Sequence, residues 1–358
     1  MKYIGLDCHK RYDFATLIDS ETGEIRSKKL AHKKDEFKAF IGDRGKSKMV
    51  IESCWNWSKT YELAKDLVDE VILAHPLKIK AIASAKIKTD AIDSRTLAQL
   101  LKADLIPQAH LREADNRAKQ KVIRHRAFMV AMRTRVKNKV NDLVNNRLLP
   151  PTVEETKPKN LFSKRGKEEN GVAWLKSLEW SVEDKEIFES AMRLIEQLSH
   201  EISVSNRMID EIYKRDKDAQ LLYTIPGIGK TLAVLISTEI DGIGRFKSPS
   251  RLCSYAGLVP SIHSSGGKVY HGKMILEGNR WLRWALIEAV VPASYADVGI
   301  RQRLEALKKV KNANVAKTIM ARWLLKVVYH VLKDGRRYVP SELHDVSRSR
   351  LSIALASS

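Results

Sequence analysis

The sequence predicts an α/β domain followed by an all-α remainder. Three observations carry that expectation. Short apolar runs rich in strand-forming residues alternate with helical periodicity over roughly the first hundred residues. Two long helical stretches come next, and then the texture changes to short helices punctuated by glycine. A chain of 358 residues has room for two or three domains with real cores.

Residues 3 to 18 alternate loosely between apolar and polar, with Tyr3, Ile4, Leu6, Phe14, Ala15, Leu17 and Ile18 supplying strand-forming bulk. Two strands joined near His9-Lys10-Arg11 fit this stretch. Ser20 to Glu24 is a turn and Ile25 to Leu30 a third strand, so the chain opens on an antiparallel meander. Lys34 to Ile41 reads as a helix, and Lys48 to Glu52 as a short apolar strand ending in an acid. A helix from about Ser58 to Val68 and a buried-type strand over Glu70 to Ala74 follow. Asp90 to Ala103 is helical by the spacing of Ile92, Leu97, Leu100 and Leu101. Three meander strands followed by alternating helices and strands give one mixed sheet flanked by helices, over residues 1 to 108.

Residues 109 to 220 form the second region. A long helix is expected from Glu113 to Leu149, ended by Pro150-Pro151. Residues 152 to 172 read as a polar, loop-like insertion, and a second long helix runs from Val182 to Lys214. Ile187, Ala191, Leu194, Leu198, Ile202, Ile209 and Ile212 give it an interrupted, coiled-coil-like heptad seam with Ser205 as a polar gap. Spacing leaves its partner open, whether the first long helix, another subunit or both. Residues 221 to 346 read as a third, mainly helical domain. Its helices are expected at Lys230–Ile240, Pro249–Ala256, Gly278–Val291 and Val315–Leu332, with Gly335 as the C-terminal stop of the last. Residues 347 to 358 read as a frayed, serine-rich tail.

Composition narrows the function. Lys and Arg number 64 against 43 Asp and Glu, a net charge of +21. A surface so positive repels itself unless an anionic partner neutralises it, and nucleic acid is the commonest such partner. No apolar run of 18 residues spans a membrane, and no signal-peptide core precedes the first strand. Three widely spaced cysteines indicate neither a disulfide framework nor a zinc site. The expectation is a reduced, cytoplasmic protein that binds nucleic acid. Nine Lys or Arg and no acid lie between Arg117 and Lys139. Such a run destabilises an isolated helix by repulsion, so Arg117, Lys119, Lys121, Arg124, Arg126 and Arg133 are expected to face phosphates. Leu222 to Lys230 joins two helices through Gly227 and Gly229, the pattern of a helix-hairpin-helix. Free N–H groups at the next helix start can hold a phosphate there, with Lys230 beside it.

Four acids sit where metal chemistry needs them. Asp7 is inside the first strand, Glu52 ends a later one, and Asp90 and Asp93 project from the same face of one helix. Mg²⁺ or Mn²⁺ takes hard oxygen ligands, and two such ions about 4 Å apart can hold the attacking and leaving oxygens of a phosphoryl transfer. Singly, each acid has an ordinary role: a strand end, a rim, or a helix cap at Asp90 after Thr89. Together and in this order they point to a metal site.

Tyr3-Ile4-Gly5-Leu6-Asp7, Ile51-Glu52-Ser53 and Lys88-Thr89-Asp90-Ala91-Ile92-Asp93-Ser94-Arg95 together resemble the DEDD transposases of the insertion sequence 110 family. The pilin-gene invertases are relatives of that group. The resemblance implies an RNase-H-like first domain of the Holliday-junction-resolvase (RuvC-like) kind, with Asp7, Glu52, Asp90 and Asp93 as its acidic tetrad. One departure is local: Cys54-Trp55-Asn56-Trp57 stands where the family has a small residue and a glycine. Further on, Ala256-Gly257-Leu258-Val259-Pro260 and the stretch Ser261 to Gly267, expected as a loop, match the family's C-terminal domain. There Ser265-Gly266 would carry a serine nucleophile that forms a covalent link to a DNA phosphate, Ser264 being its neighbour. His263 and His271 are the candidate bases nearby, but each reads as a solvated loop histidine, and activation by the tetrad's metals is preferred. Arg283 matches a family arginine that would bind the scissile phosphate.

The resemblance also implies double-stranded donor and target DNA, a structured noncoding guide RNA and a homodimer or homotetramer. The expected function is metal-dependent strand exchange for a mobile element. The alternatives are a junction-resolving nuclease that uses metal-activated water, and a non-enzymatic nucleic-acid-binding scaffold.

Overall fold

A computed structural model describes residues 1–42, 45–83, 89–163, 170–265, 268–274 and 277–339; for 262–265, 268–271 and 273 it describes the backbone alone. The expected tail at 347–358 lies outside the described residues. The chain divides into two compact units, Met1–Glu113 and Ala114–Ser358.

The first unit contains β1 (Lys2–Cys8), β2 (Tyr12–Asp19), β3 (Ile25–Ala31), α1 (Lys34–Ile41), β4 (Ser47–Glu52), α2 (Trp57–Ala64), β5 (Glu70–Ala74), α3 (Pro76–Ile82) and α4 (Asp90–Lys102). Its five strands lie in the order β3-β2-β1-β4-β5. The first three form the expected antiparallel meander, while β4 and β5 run parallel to β1. Alternation along the strands sorts the side chains onto two faces. Ile4, Leu6, Ala15, Leu17, Met49 and Ile51 pack with Phe37 and Phe40 of α1 and Ala64 of α2. Val50, Ile72 and Ala74 pack on Leu97 and Leu101 of α4. The sheet is thus covered on both sides, the mixed three-layer arrangement that the pattern of elements predicts.

One glycine decides how close the third layer comes. A Cβ added to Gly5 of β1 would lie 2.1 Å from the Ser94 carbonyl oxygen and 2.5 Å from the Ala98 nitrogen. Strand and helix backbones touch there, and no side chain fits between them. Thr16 Oγ1, 2.7 Å from Ser94 Oγ, fixes the same contact from β2.

The second unit starts with α5 (Ala114–Asn145), α6 (Pro151–Glu155), α7 (Gly171–Ser177) and α8 (Val182–Arg215). Part of the segment expected as a loop is therefore helical. Helix α8 pairs with α5. Its buried residues are Phe188, Ala191, Ile195, Leu198, Ile202, Ser205 and Ile209, an unbroken three-and-four spacing. The expected seam is corrected in its first half, since Ile187 and Leu194 are 45% and 48% exposed. Each has an apolar neighbour one residue on that the helix turns inward instead. Ser205 belongs to the buried row.

The unit continues with α9 (Lys217–Leu222), α10 (Lys230–Ile240), α11 (Pro249–Tyr255), β6 (Pro260–Ser265), β7 (Lys268–Met274), α12 (Arg280–Ala296), α13 (Val298–Val310) and α14 (Ala313–Asp334). Gly335 has φ 63° at the stop of α14, as the sequence predicts. Two expectations change. Pro292 does not end α12, which runs on to Ala296 with Ala289, Val290, Ala293 and Ser294 buried around the proline. Packing outweighs the lost backbone hydrogen bond. The stretch Ser261 to Ser265 is a strand paired with β7, Ser265 opposite Lys268, rather than a loop. Gly266-Gly267, the residues between the two strands, is a sequence signal for a two-residue hairpin.

Candidate active site

Asp7 sits next to last in β1. The parallel register pairs Leu6 with Ile51, so Asp7 and Glu52 are the next residues along two adjacent strands. Alternation places Gly5, Asp7, Val50 and Glu52 on the face that α4 covers, the face of Tyr12 and Thr16 as well. Thr89 Oγ1 caps α4 by accepting from the Ile92 N–H at 3.2 Å. The cap is therefore Thr89, and Asp90 and Asp93 are left in the first turn, where the helix dipole favours their charge. Gly5, two residues before Asp7, lets α4 approach the sheet at Ser94 and Ala98, just beyond this turn.

The result is a compact set of donors. His9 Nε2 is 3.1 Å from Asp7 Oδ2 and 3.1 Å from Asp90 Oδ2. Tyr12 donates to the same Asp90 oxygen at 3.0 Å. Donor atoms of Asp7, His9 and Asp90 all lie within 4.8 Å of one another. The Asp7 carboxyl titrates above its ordinary range: burial pushes it up, His9 pulls it down, and the charges of Asp90 and Asp93 push it up again. Negative charge is crowded at one end of β1 in a chain of net charge +21. A divalent cation would relieve that crowding, and the oxygen-rich donor set fits one.

Three of the four sequence-predicted acids thus act on one another. Asp7 and Asp90 share a histidine nitrogen, and Asp93 bears on Asp7 through its charge. Glu52 stands beside Asp7 by register but outside the tightest donor set, as does Asp93. Sequence reasoning missed His9, Tyr12 and Gly5. The available signal was that the turn His9 to Arg11 follows a strand acid directly. The departure at Cys54 to Trp57 has a structural part: Asn56 donates its Nδ2 to the His9 carbonyl at 2.8 Å, and Cys54 Sγ donates to Asn56 Oδ1 at 2.9 Å. The segment after Glu52 holds the turn after Asp7. Asp13, another acid of β2, lies on the opposite face, where Thr60 and His32 bond to its carboxylate.

The expected phosphate-facing cations of α5 split into two sets. Arg124 bonds to the buried Glu239 of α10 at 3.2 Å, Arg126 to Asn206 at 2.6 Å and Arg133 to Ser199 at 3.2 Å. Lys119 pairs with Asp115, and Arg117 is half-buried. Lys121 is exposed, together with Arg135 and Lys139 of the same basic run. In the glycine hairpin, Gly227 has φ 81°, and a Cβ there would lie 2.4 Å from the Ala289 carbonyl oxygen of α12. Both the positive φ and this close packing require glycine. Gly229 faces open space at the start of α10, and Lys230 pairs with Asp210 at 3.1 Å. Arg283 packs against Gly257, close enough that a Cβ there would come 2.9 Å from its Nη2. The side chains of His263, Ser264, Ser265 and His271 lie outside the described residues, and Gly266 does too.

Residues 219–305 match the family model described as Transposase IS116/IS110/IS902 family, and residues 4–147 match the DEDD transposase model of the IS110 group. The chain is 21% identical, over 95% of its length and 96% of the relative's, to the insertion element IS116 uncharacterized 44.8 kDa protein of Streptomyces clavuligerus. It is 22% identical to a probable family 20 transposase of Pseudomonas aeruginosa, over 94% of this chain and 98% of that one. A pilin gene-inverting protein of Moraxella bovis is 35% identical over 148 residues, which are 40% of this chain and 45% of the invertase.

Proposed function

The chain belongs to the IS110/IS116 transposase family, and from that premise we propose that it moves its insertion element by strand exchange through Ser265. Asp7, Glu52, Asp90 and Asp93 hold divalent cations, Mg²⁺ or Mn²⁺, at the end of β1. Bound there, such ions neutralise charge on the scissile phosphate and ease ionisation of the attacking hydroxyl. Ser265 Oγ bonds to phosphorus as one phosphorus–oxygen bond to a sugar breaks, and the departing sugar oxygen takes up the serine proton. A sugar hydroxyl of the second DNA then attacks the phosphoserine ester, which frees Ser265 and joins the new strand. Arg283 orients the phosphate through a bidentate contact.

The observation that carries this reading is the convergence of Asp7 and Asp90 on one histidine nitrogen, 3.1 Å from each. Acids from a strand and a distant helix meet where burial, and then the charges of Asp90 and Asp93, raise the Asp7 pKa, an arrangement that folding alone does not favour. The net charge of +21 and the exposed Lys121, Arg135 and Lys139 support nucleic-acid binding along α5. Gly229 and Lys230 at the start of α10 contribute a further backbone contact in the helix-hairpin-helix manner. A guide RNA from the element, and a dimer or tetramer that brings Ser265 to the acids, complete the reading.

The test incubates the purified protein with donor and target DNA, with and without co-purified RNA and Mg²⁺, and traps covalent protein–DNA adducts. We expect an adduct that maps to Ser265, disappears in Ser265→Ala and requires metal. Strand cleavage that persists in Ser265→Ala without any adduct would replace this reading with a junction-resolving nuclease.

A further inference from the structure

We infer that His9 is a nitrogen ligand of the metal centre, so that the site is a mixed nitrogen–oxygen one that favours Mn²⁺ over Mg²⁺. The inference rests on the metal reading of the acids given above, and adds a residue and a metal preference to it.

The geometry is specific. Two donors on adjacent positions of an octahedral ion with bonds of about 2.1 Å lie about 3.0 Å apart. His9 Nε2 stands 3.1 Å from an oxygen of Asp7 and 3.1 Å from an oxygen of Asp90. All three donor atoms fall within 4.8 Å of one another, a span that one ion can bridge. The imidazole hydrogen-bonds to Asp7 and stands in contact with Asp90, so it holds the two carboxylates at the separation an ion requires.

His9 is also held from several sides, unlike a histidine on a free loop. Its N–H donates to the Tyr12 carbonyl at 2.9 Å and its own carbonyl accepts from Asn56 at 2.8 Å. Its ring lies over the Tyr12 ring with centroids 4.7 Å apart, and Tyr12 in turn bonds to Asp90. Backbone, ring and ligand partner all fix one orientation. The side chains of Asp7, His9 and Asp90 stay 17%, 33% and 39% exposed, so a hydrated ion can reach them. Both ions suit carboxylates, but the softer Mn²⁺ accepts a nitrogen ligand more readily than Mg²⁺, which prefers all-oxygen surroundings and keeps its waters. A histidine here therefore tilts the site towards Mn²⁺.

The experiment titrates the full-length protein with Mn²⁺ and with Mg²⁺ by calorimetry, and records the paramagnetic resonance of bound Mn²⁺. Loss of even an outer partner of a metal ligand typically costs about 10- to 100-fold in affinity. We expect His9→Ala to weaken Mn²⁺ by at least about 10-fold and Mg²⁺ by much less. His9→Asn, which offers an oxygen, should recover Mg²⁺ but not Mn²⁺ binding. The ¹⁴N coupling to Mn²⁺ should be present in the parent protein and absent in both variants, whose folding is checked by thermal melting. Tight Mn²⁺ binding without ¹⁴N coupling, or an unchanged ratio of the two affinities in His9→Ala, overturns the assignment while leaving the acids as ligands. Failure of the parent to bind either ion overturns the metal reading itself.

Discussion

At the scale of single residues, Asp7 shows the conflict between folding and chemistry. Its folded-state pKa lies above the ordinary 3.8, so the native protein holds this proton more tightly than the unfolded chain does. Ionising Asp7 therefore costs folding stability, a cost that develops as pH rises from 3.8 towards the raised value and persists above it. Asp7→Asn removes it. In metal-free protein, the variant should melt a few degrees higher than the parent at neutral pH, the gain closing as pH falls to the ordinary carboxylate range. Cation binding and strand exchange should be lost. A calorimetric melting series over pH checks both signs. Glu239 is the opposite case, a buried acid with work to do in the fold. It accepts from Gln120 at 3.1 Å, Arg124 at 3.2 Å and Asn279 at 2.7 Å, joining α5 and the cap of α12 to α10. Glu239→Ala takes the acceptor from the half-buried Gln120 and Asn279 and should cost about 1–3 kcal/mol in urea unfolding of the second unit. Asp7 was legible from its place inside a strand. Glu239 was not, because its partners lie 40 to 119 residues away in the chain.

At the scale of elements, two glycines set distances that function requires. Gly5 allows α4 to touch β1, which brings Asp90 to Asp7. Gly5→Ala forces backbone against backbone, and overpacking of this kind costs about 1–3 kcal/mol. It should also weaken Mn²⁺ binding at least about tenfold although no ligand changes, a result that calorimetry reads directly. Gly227 holds the hairpin against α12 at a positive φ, whereas Gly229 faces open space. Gly227→Ala should lower the melting temperature of the second unit, while Gly229→Ala should leave it near the parent. The sequence treats the two glycines alike, since both sit in one hairpin motif, and only the neighbour across the gap separates them. The α8 seam teaches the same lesson. Ile187-Phe188 and Leu194-Ile195 are adjacent apolar pairs, and period alone does not say which member turns inward.

At the scale of the whole molecule, the charge of +21 sets how the protein meets its partners. Binding to duplex DNA should weaken steeply with salt, because each phosphate contact releases counterions. Replacing the exposed Lys121 or Arg135 by Ala should reduce the slope of log K against log salt by about one each. Arg124→Ala should change it little and destabilise the fold instead, since that guanidinium is committed to Glu239. Filter binding over a salt series, beside urea unfolding, distinguishes the two outcomes.

The sequence by itself determined the mixed sheet, the two long helices and the order of the acids. Those follow from local periodicity, strand-forming bulk and charge, each readable within a few residues. Which side of each element faces which neighbour was decided only in three dimensions. His9 became a candidate ligand because a helix far along the chain delivers Asp90 to it. Arg124, Arg126 and Arg133 bond within the protein because α8 and α10 bring acceptors to them. Segment identity is a short-range property of the chain, but the partners of a polar side chain are fixed by packing between distant segments, and spacing along the sequence does not encode them.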